Sequence, residues 1–234
     1  MGLNLVLPVT LNTSGKVLIQ TVSESHSFLF NSYIITSIGG ENVVVDPTEM
    51  PQKSVCNINP AAILCTHEHF DHTDVPFTDS YDIPKILYEK GDIRTKDFRI
   101  YSIASSHYND TIDNSNFLIV FEVDGLRIVH MGDIGQNKLT EEQLEAIGKI
   151  DIAFMQFENN YSDMSVSNRK GFTIIEQLNP KIIIPTHCFE KGDAMLAQKY
   201  GCITEFNNLL EVSKEDLPEK SLCVYRILNT HQYQ

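Results

Sequence analysis

Apolar positions in this chain first appear as short β-branched runs. Val17-Leu18-Ile19, preceded by Lys16, and Tyr33-Ile34-Ile35-Thr36 are strand-sized, and Gly39-Gly40 turns the second into Val43-Val44-Val45, which Asp46-Pro47 ends. These three predict a meander. Ala61 to Cys65 has the pattern of a buried strand and leads directly into a polar cluster, Thr66 to Asp74. Arg99 to Ala104 and Phe117 to Val123 extend the strand series, and Asp124-Gly125 joins the latter to Leu126–His130 as a hairpin. Helices enter afterwards. Thr140 followed by Gln143 predicts a capping box opening a helix to about Ile147, and Phe172, Ile175 and Leu178 recur on one helical face that Asn179-Pro180 terminates. Ile152 to Phe157 and Ile182 to Ile184 read as strands, and a last helix is expected from about Ala194 to Tyr200 with Gly201 as its stop. Strands first, then strands alternating with helices, imply sheets covered by helices, an α/β or α+β layered domain. No repeat or linker interrupts the pattern, so residues 1–234 read as one domain.

Composition narrows the class. At 42% hydrophobic and 21% charged residues, without low-complexity runs, the chain is neither disordered, collagenous nor coiled coil. Its apolar stretches are far shorter than the roughly 20 residues of a membrane span. A formal charge of -13 makes nucleic acid a poor partner, and the start lacks a basic secretory leader. Five cysteines without a Cys-x-x-Cys fit reduced thiols, so a cytoplasmic location is expected.

The chemistry is concentrated in Thr66-His67-Glu68-His69-Phe70-Asp71-His72, which gathers three of the eight histidines. In extended chain, His67, His69 and Asp71 project to one side, and a chain turning into a helix brings His72 in from another, the outline of a metal site. The cluster lacks the cysteine pair of a zinc finger and the spacing of a helical His-Glu-x-x-His.

This segment resembles the His-x-His-x-Asp-His signature of the metallo-β-lactamase superfamily, and further motifs follow downstream. Ser105-Ser106-His107 resembles the third histidine of that family's first metal site. Met131-Gly132-Asp133 is similar to its Gly-Asp, and Pro185-Thr186-His187 to its final histidine. Asn31-Ser32-Tyr33 and Val43-Val44-Val45-Asp46-Pro47 are similar to its opening strands. The resemblance implies an α+β fold, a four-layer αββα sandwich. It also implies a first metal on His67, His69 and His107, a second on Asp71, His72 and His187, and Asp133 as the bridge. Zinc is the first expectation for two divalent ions, with manganese, iron and nickel open, since no thiolate takes part.

Two such ions about 3.5–4 Å apart share a water, lower its pKa towards roughly 7 and present a hydroxide, so a hydrolase is expected. Asp71 and Asp133 are its candidate catalytic carboxylates, Asp71 also as a proton relay to the leaving group. Only 35 positions separate His72 from His107 and 26 separate His107 from Asp133, which leaves no room for large insertions. The chain therefore resembles small metal-dependent hydrolases related to ascorbate-phosphate lactonases more than ribonuclease Z. A small ester, lactone or phosphoester is the expected substrate, nucleic acid and membrane are not expected partners, and self-association stays open. Two alternatives remain. One is an iron oxidoreductase of the persulfide dioxygenase type, or of the flavo-diiron type, which has Glu where this chain has His69; the other is a noncatalytic metal-binding protein.

Smaller candidates surround the motif. Asp46 ends a strand and suits a group that holds a metal-bound histidine in one tautomer, or an ordinary turn carboxylate. His26, Asn160, Tyr161 and Arg169 are candidate substrate contacts, the last three in or just past the polar stretch from Asn159 to Asp163. His130 reads as a core or surface histidine, and Cys188 is expected to point away from His187 into packing.

Overall fold

The structure, a computed structural model, describes residues 12–24, 32–51 and 58–230. In chain order its strands begin with β1 (Val17–Thr21), β2 (Tyr33–Thr36), β3 (Asn42–Val45) and β4 (Ala62–Cys65). After helix α1 (Val75–Asp79) come β5 (Lys85–Leu87), β6 (Asp92–Arg94), β7 (Phe98–Ser105), β8 (Asn116–Val123) and β9 (Leu126–His130). Then follow α2 (Glu141–Ile147), β10 (Ile152–Gln156), α3 (Lys170–Leu178), β11 (Ile182–Thr186) and α4 (Glu190–Tyr200). The chain closes with β12 (Ile203–Asn207), β13 (Leu209–Val212) and β14 (Cys223–Leu228).

Two mixed sheets result. Six strands lie in the order β13-β1-β2-β3-β4-β5 and eight in the order β12-β14-β11-β10-β9-β8-β7-β6. Side-chain alternation sends Tyr33, Ile35, Val43, Val45 and Leu64 of the first sheet into one core with Ile119, Phe121, Ile152, Phe154 and Ile184 of the second. The opposite face of the large sheet, including Leu118, Val120, Ala153 and Ile183, buries Phe172, Ile175, Leu178 and Leu196 of α3 and α4. The outer face of the small sheet packs Ile34, Val44 and Ile63 against Phe77 of α1 and Tyr81. Both faces of each central strand are therefore covered, which is why these strands read as unbroken apolar runs. The expected four layers are present.

Local chemistry follows the sequence closely at several points. β1, β2 and β3 form the antiparallel meander. The β8–β9 turn places Asp124 at φ 47° and Gly125 at φ 79°, the conformation that matches the twist of a two-residue hairpin. Thr140 and Gln143 close the capping box of α2. Three differences stand out. α4 starts at Glu190, a turn before the expected Ala194, because Phe189 and Gly192 amides are held by the Glu158 carboxylate at 2.8 and 2.7 Å. His72 sits in a turn rather than at a helix start, closed by its amide on the His69 carbonyl at 2.9 Å. The edge strands β6 and β12 are largely exposed and carry no apolar run to betray them. Among the described residues no helix is long and apolar enough to cross a membrane.

Candidate metal centre

One edge of the sandwich collects the polar clusters. β9, β10 and β11 are parallel and adjacent, with Ile152 opposite both Ile128 and Ile182, so their carboxyl ends and the segments that follow come out side by side. β7, antiparallel to β8 as β8 is to β9, ends at the same edge, and the segment after β4 faces it from the other sheet. The Phe117 amide, which donates to the Thr66 carbonyl at 2.8 Å, ties the two sheets together there.

All seven side chains predicted to bind metal meet at this edge, in two groups that share one residue. Ligand atoms of His67, His69, His107 and Asp133 lie within 4.8 Å of one another, and those of Asp71, His72, Asp133 and His187 do so as well. Strand alternation alone put Asp71 with His67 and His69. The turn from His69 to His72 instead carries Asp71 to the group of His72 and His187, its Oδ2 lying 3.9 and 3.8 Å from their Nε2 atoms. Asp133 faces both groups: Oδ2 is 3.8 Å from His67 Nε2 and 3.6 Å from His107 Nε2, while Oδ1 is 3.3 Å from Nε2 of both His72 and His187. Nε2 of His72 and Nε2 of His187 stand 3.3 Å apart.

Several of these donors are buried without a hydrogen-bond partner: His67 Nε2, both ring nitrogens of His107, and Asp133 Oδ1. Leaving such groups unmatched costs about 1–3 kcal/mol each. Each group gathers four N or O ligand atoms, a donor set of the kind that could hold a divalent cation. The electrostatics agree. Burial, helped by neighbouring imidazoles, holds His67 well below its ordinary value, and burial with His107 lowers His69, so both rings are neutral and keep a free lone pair. Burial works against protonation of His72 too, but the carboxylates of Asp133 and Asp46 overturn it and raise that imidazole well above its ordinary value. Burial likewise opposes the Asp133 anion, yet His72 and His187 hold its carboxyl well below the usual range. The pocket stabilises positive charge between buried carboxylates, a demand that cations meet as well as protons do.

A ring of supporting residues fixes the donors. Asp46, with no exposure, accepts from the Thr66 amide at 2.7 Å, from Thr66 Oγ1 at 2.8 Å and from His72 Nδ1 at 2.8 Å, so His72 presents Nε2 to the cluster. Its position at the end of β3 was the signal for this role. Two more residues support Asp133: Asn159, which the sequence offered only as part of a polar stretch beside a substrate pocket, and Asn116, which it did not single out. Asn159 donates from Nδ2 to Asp133 Oδ2 at 2.6 Å, and Asn116 accepts the Asp133 amide at 3.0 Å. His130 does more than fill the core: its Nδ1 accepts the Gly132 amide at 3.1 Å, and burial pushes its pKa down to about 4. Gly132, at φ 55°, leaves no room for a Cβ beside Asn116 and Thr66, which lets the turn bring Asp133 inward.

The remaining candidates are placed as follows. Tyr161 and Asn160 are exposed and directly follow Asn159 in the chain. Arg169 is not brought to it: its guanidinium lies 5.5 Å from the ring centre of Phe172. His26 lies outside the described residues. Cys188 points into the packing under α4, as expected, where burial raises its thiol.

The sequence profile of the beta-lactamase superfamily domain matches residues 26–187, which include every residue of both groups. The chain belongs to the metallo-β-lactamase superfamily. It is similar to a UPF0173 metal-dependent hydrolase of Thermoplasma volcanium, 28% identical over 179 residues that cover 64% of this chain and 77% of the relative. A UPF0173 metal-dependent hydrolase of Pyrobaculum islandicum is 25% identical over 186 residues, 67% of this chain and 80% of the relative. Among solved structures, a Thermotoga maritima protein of the metallo-β-lactamase superfamily superposes with a TM-score of 0.65 at 20% identity, covering 90% of this chain and 99% of that one. A metallo-β-lactamase fold protein from Bacillus subtilis gives 0.56 at 11% identity, covering 92% and 97%. These superpositions establish the superfamily fold for the two sheets and their helices.

Proposed function

We propose that this protein is a metal-dependent hydrolase of a small-molecule ester, lactone or phosphoester, and that it works with two divalent cations, zinc first among them. One observation carries the proposal: the buried Asp133 carboxylate turns Oδ2 to the His67 and His107 side and Oδ1 to the His72 and His187 side. His67, His69, His107 and Asp133 Oδ2 would hold one ion, and Asp71, His72, His187 and Asp133 Oδ1 the other. Bound there, the cations would supply an acidified water and polarise the carbonyl or phosphoryl oxygen that develops charge. The protein's own part is to keep the donors in place: Asp46 holds the proton on His72 Nδ1, and Asn159 fixes the torsion of the Asp133 carboxylate. Asp71 is more open to solvent than Asp133, which suits it to pass a proton to the leaving group.

The test is metal analysis of protein purified without chelator, then a panel of esters, lactones and phosphodiesters. Two ions per chain, turnover that chelation abolishes, and loss of both in Asp133→Asn are the expected results. A metal-loaded protein that hydrolyses nothing in the panel, or one that retains a single ion with Asp71 and His187 turned away, refutes the proposal.

A further inference from the structure

Among the described residues, large apolar side chains with a high exposed fraction are distributed very unevenly. Among the described residues, the exposed ones are Ile38, Phe70, Val75, Tyr108, Ile112, Tyr161 and Phe189, and all but Ile38 fall on segments that leave the metal-centre edge. Scattered single exposures need no explanation, but concentration around one opening does. Four are aromatic, one from each of four different loops. Phe70, 76% exposed, lies between His69 and Asp71, and Tyr108, 52% exposed, follows His107 with the two ring centres 4.7 Å apart. Tyr161 and Phe189, 85% and 60% exposed, each lie two residues past a residue of the site, Asn159 and His187. Consecutive Cα atoms are about 3.8 Å apart, so each aromatic is rooted within about 8 Å of a site residue.

The rim is built onto the centre. Asn159 uses Nδ2 on Asp133 and Oδ1 on the Tyr161 amide at 3.0 Å, so one side chain sets both the carboxylate and the base of the aromatic. The Phe189 amide is held by Glu158 of the neighbouring loop at 2.8 Å. The openings also coincide. His67, His72, His107 and Asp133 are buried, whereas His69 is exposed and Asp71 and His187 are partly so, and these last three lie on the loops of Phe70 and Phe189. The charge of the same loops is acidic: Glu68, Asp110, Asp113 and Glu158 stand against Lys138 and Arg169, with Asp163 paired to Lys170 and Arg169 turned onto Phe172. Beyond the cations themselves these loops add no net positive charge to hold a phosphate, whereas a neutral molecule needs none.

We infer that the substrate is a neutral carboxylic ester or lactone carrying an aromatic or extended apolar arm, and that Phe70, Tyr108, Tyr161 and Phe189 receive the arm while the acyl carbon sits at the metal centre. This narrows the hydrolase reading above and rests on it. The reaction balances without a redox partner: water's oxygen bonds to the acyl carbon and the acyl–oxygen bond breaks. One water proton goes to the departing alkoxide, and the other leaves as the acid ionises.

The arm is tested separately from the chemistry, by calorimetric binding of 4-phenylbutyrate and of acetate to the zinc-loaded protein. Half-burying a phenyl ring on the rim predicts about tenfold tighter binding of 4-phenylbutyrate. In Tyr161→Ser/Phe189→Ser the ratio falls towards one at unchanged metal content. Ratios near one in the unaltered protein overturn the rim. In turnover, 4-nitrophenyl butyrate should exceed bis(4-nitrophenyl) phosphate in kcat/KM; the reverse order overturns the ester assignment. If the protein retains no metal, the hydrolase reading falls, and the 4-phenylbutyrate to acetate ratio on the same protein still decides the rim. A rim used for self-association shows as a dimer that Phe189→Ser dissociates, with no preference for the phenyl arm, and that result also overturns the inference.

Discussion

Replacing Asp46 by Asn probes the centre without touching a ligand. Asp46 sits at φ 47°, a left-handed conformation that Asn adopts as readily as Asp, so the backbone carries no new strain. The new amide keeps Oδ1 for the Thr66 N–H, but an NH2 group now stands where Oδ2 accepted from Thr66 Oγ1 and His72 Nδ1. Thr66 can turn its hydroxyl to accept. His72 can accept only by giving up the proton on Nδ1, which moves to Nε2 and points at Asp133 Oδ1 and His187 Nε2, each 3.3 Å away. With its only proton fixed on Nε2, the imidazole can no longer yield that nitrogen's lone pair to an incoming cation. Loss of such a supporting partner costs about 10- to 100-fold in metal affinity, roughly 1.4–2.7 kcal/mol. Competition against a chromophoric chelator at neutral pH reads this directly. Asp46→Asn should lose that factor for the ion on Asp71, His72 and His187 and less for the other, which it reaches only through the Thr66 hydroxyl 3.0 Å from His67 Nδ1. If Asp46→Asn, with its thermal midpoint preserved, binds both ions as tightly as the parent, the orienting role assigned to Asp46 is wrong.

Three further outcomes follow from the same contacts. Asn159→Ala removes the 2.6 Å hydrogen bond to Asp133 Oδ2 and should weaken metal binding about tenfold in the same competition, with an unchanged constant as the contrary result. His130 has a pKa of about 4 in the folded protein, against 6.5 when free of it. Between those values only the unfolded chain takes up the proton, so chelator-treated protein should lose up to about 3 kcal/mol of stability from this group as pH falls from 7 to 4. Urea unfolding of His130→Gln should show a shallower fall over that window, and an identical slope would remove the assignment. Lys170 is buried with Nζ donating to the Gly135 carbonyl at 3.0 Å and to Asp163 Oδ2 at 2.9 Å. Lys170→Met strands that carbonyl and should lower Tm by roughly 3–10 °C, about 1–3 kcal/mol, in a melting scan.

What could be read from the chain alone depended on how far apart the cooperating residues lie. His67, His69, Asp71 and His72 fall within six positions, so alternation gathered the first three and a bend in the chain the fourth; the resemblance already placed Asp71 with His72 and His187, and the turn closed by the His72 amide on the His69 carbonyl gives the physical reason. His107, Asp133 and His187 were reached through a resemblance, since nothing in local periodicity says that the ends of β7, β9 and β11 emerge together. Asn159 shows the same limit from the other side. It follows β10, and β10 lies between β9 and β11 in the large sheet, so the loop after it must come out between those that carry Asp133 and His187. A polar stretch at a strand end was visible in the sequence; its place between two site loops was a property of strand order. The aromatic rim has the same origin. Phe70, Tyr108, Tyr161 and Phe189 are separated by up to 119 positions and belong to no common pattern, yet each is adjacent to, or two residues past, a residue that the parallel strand ends bring inward. A fold that collects loop starts at one edge collects their neighbours with them, so specificity can vary by single substitutions next to a fixed set of donors.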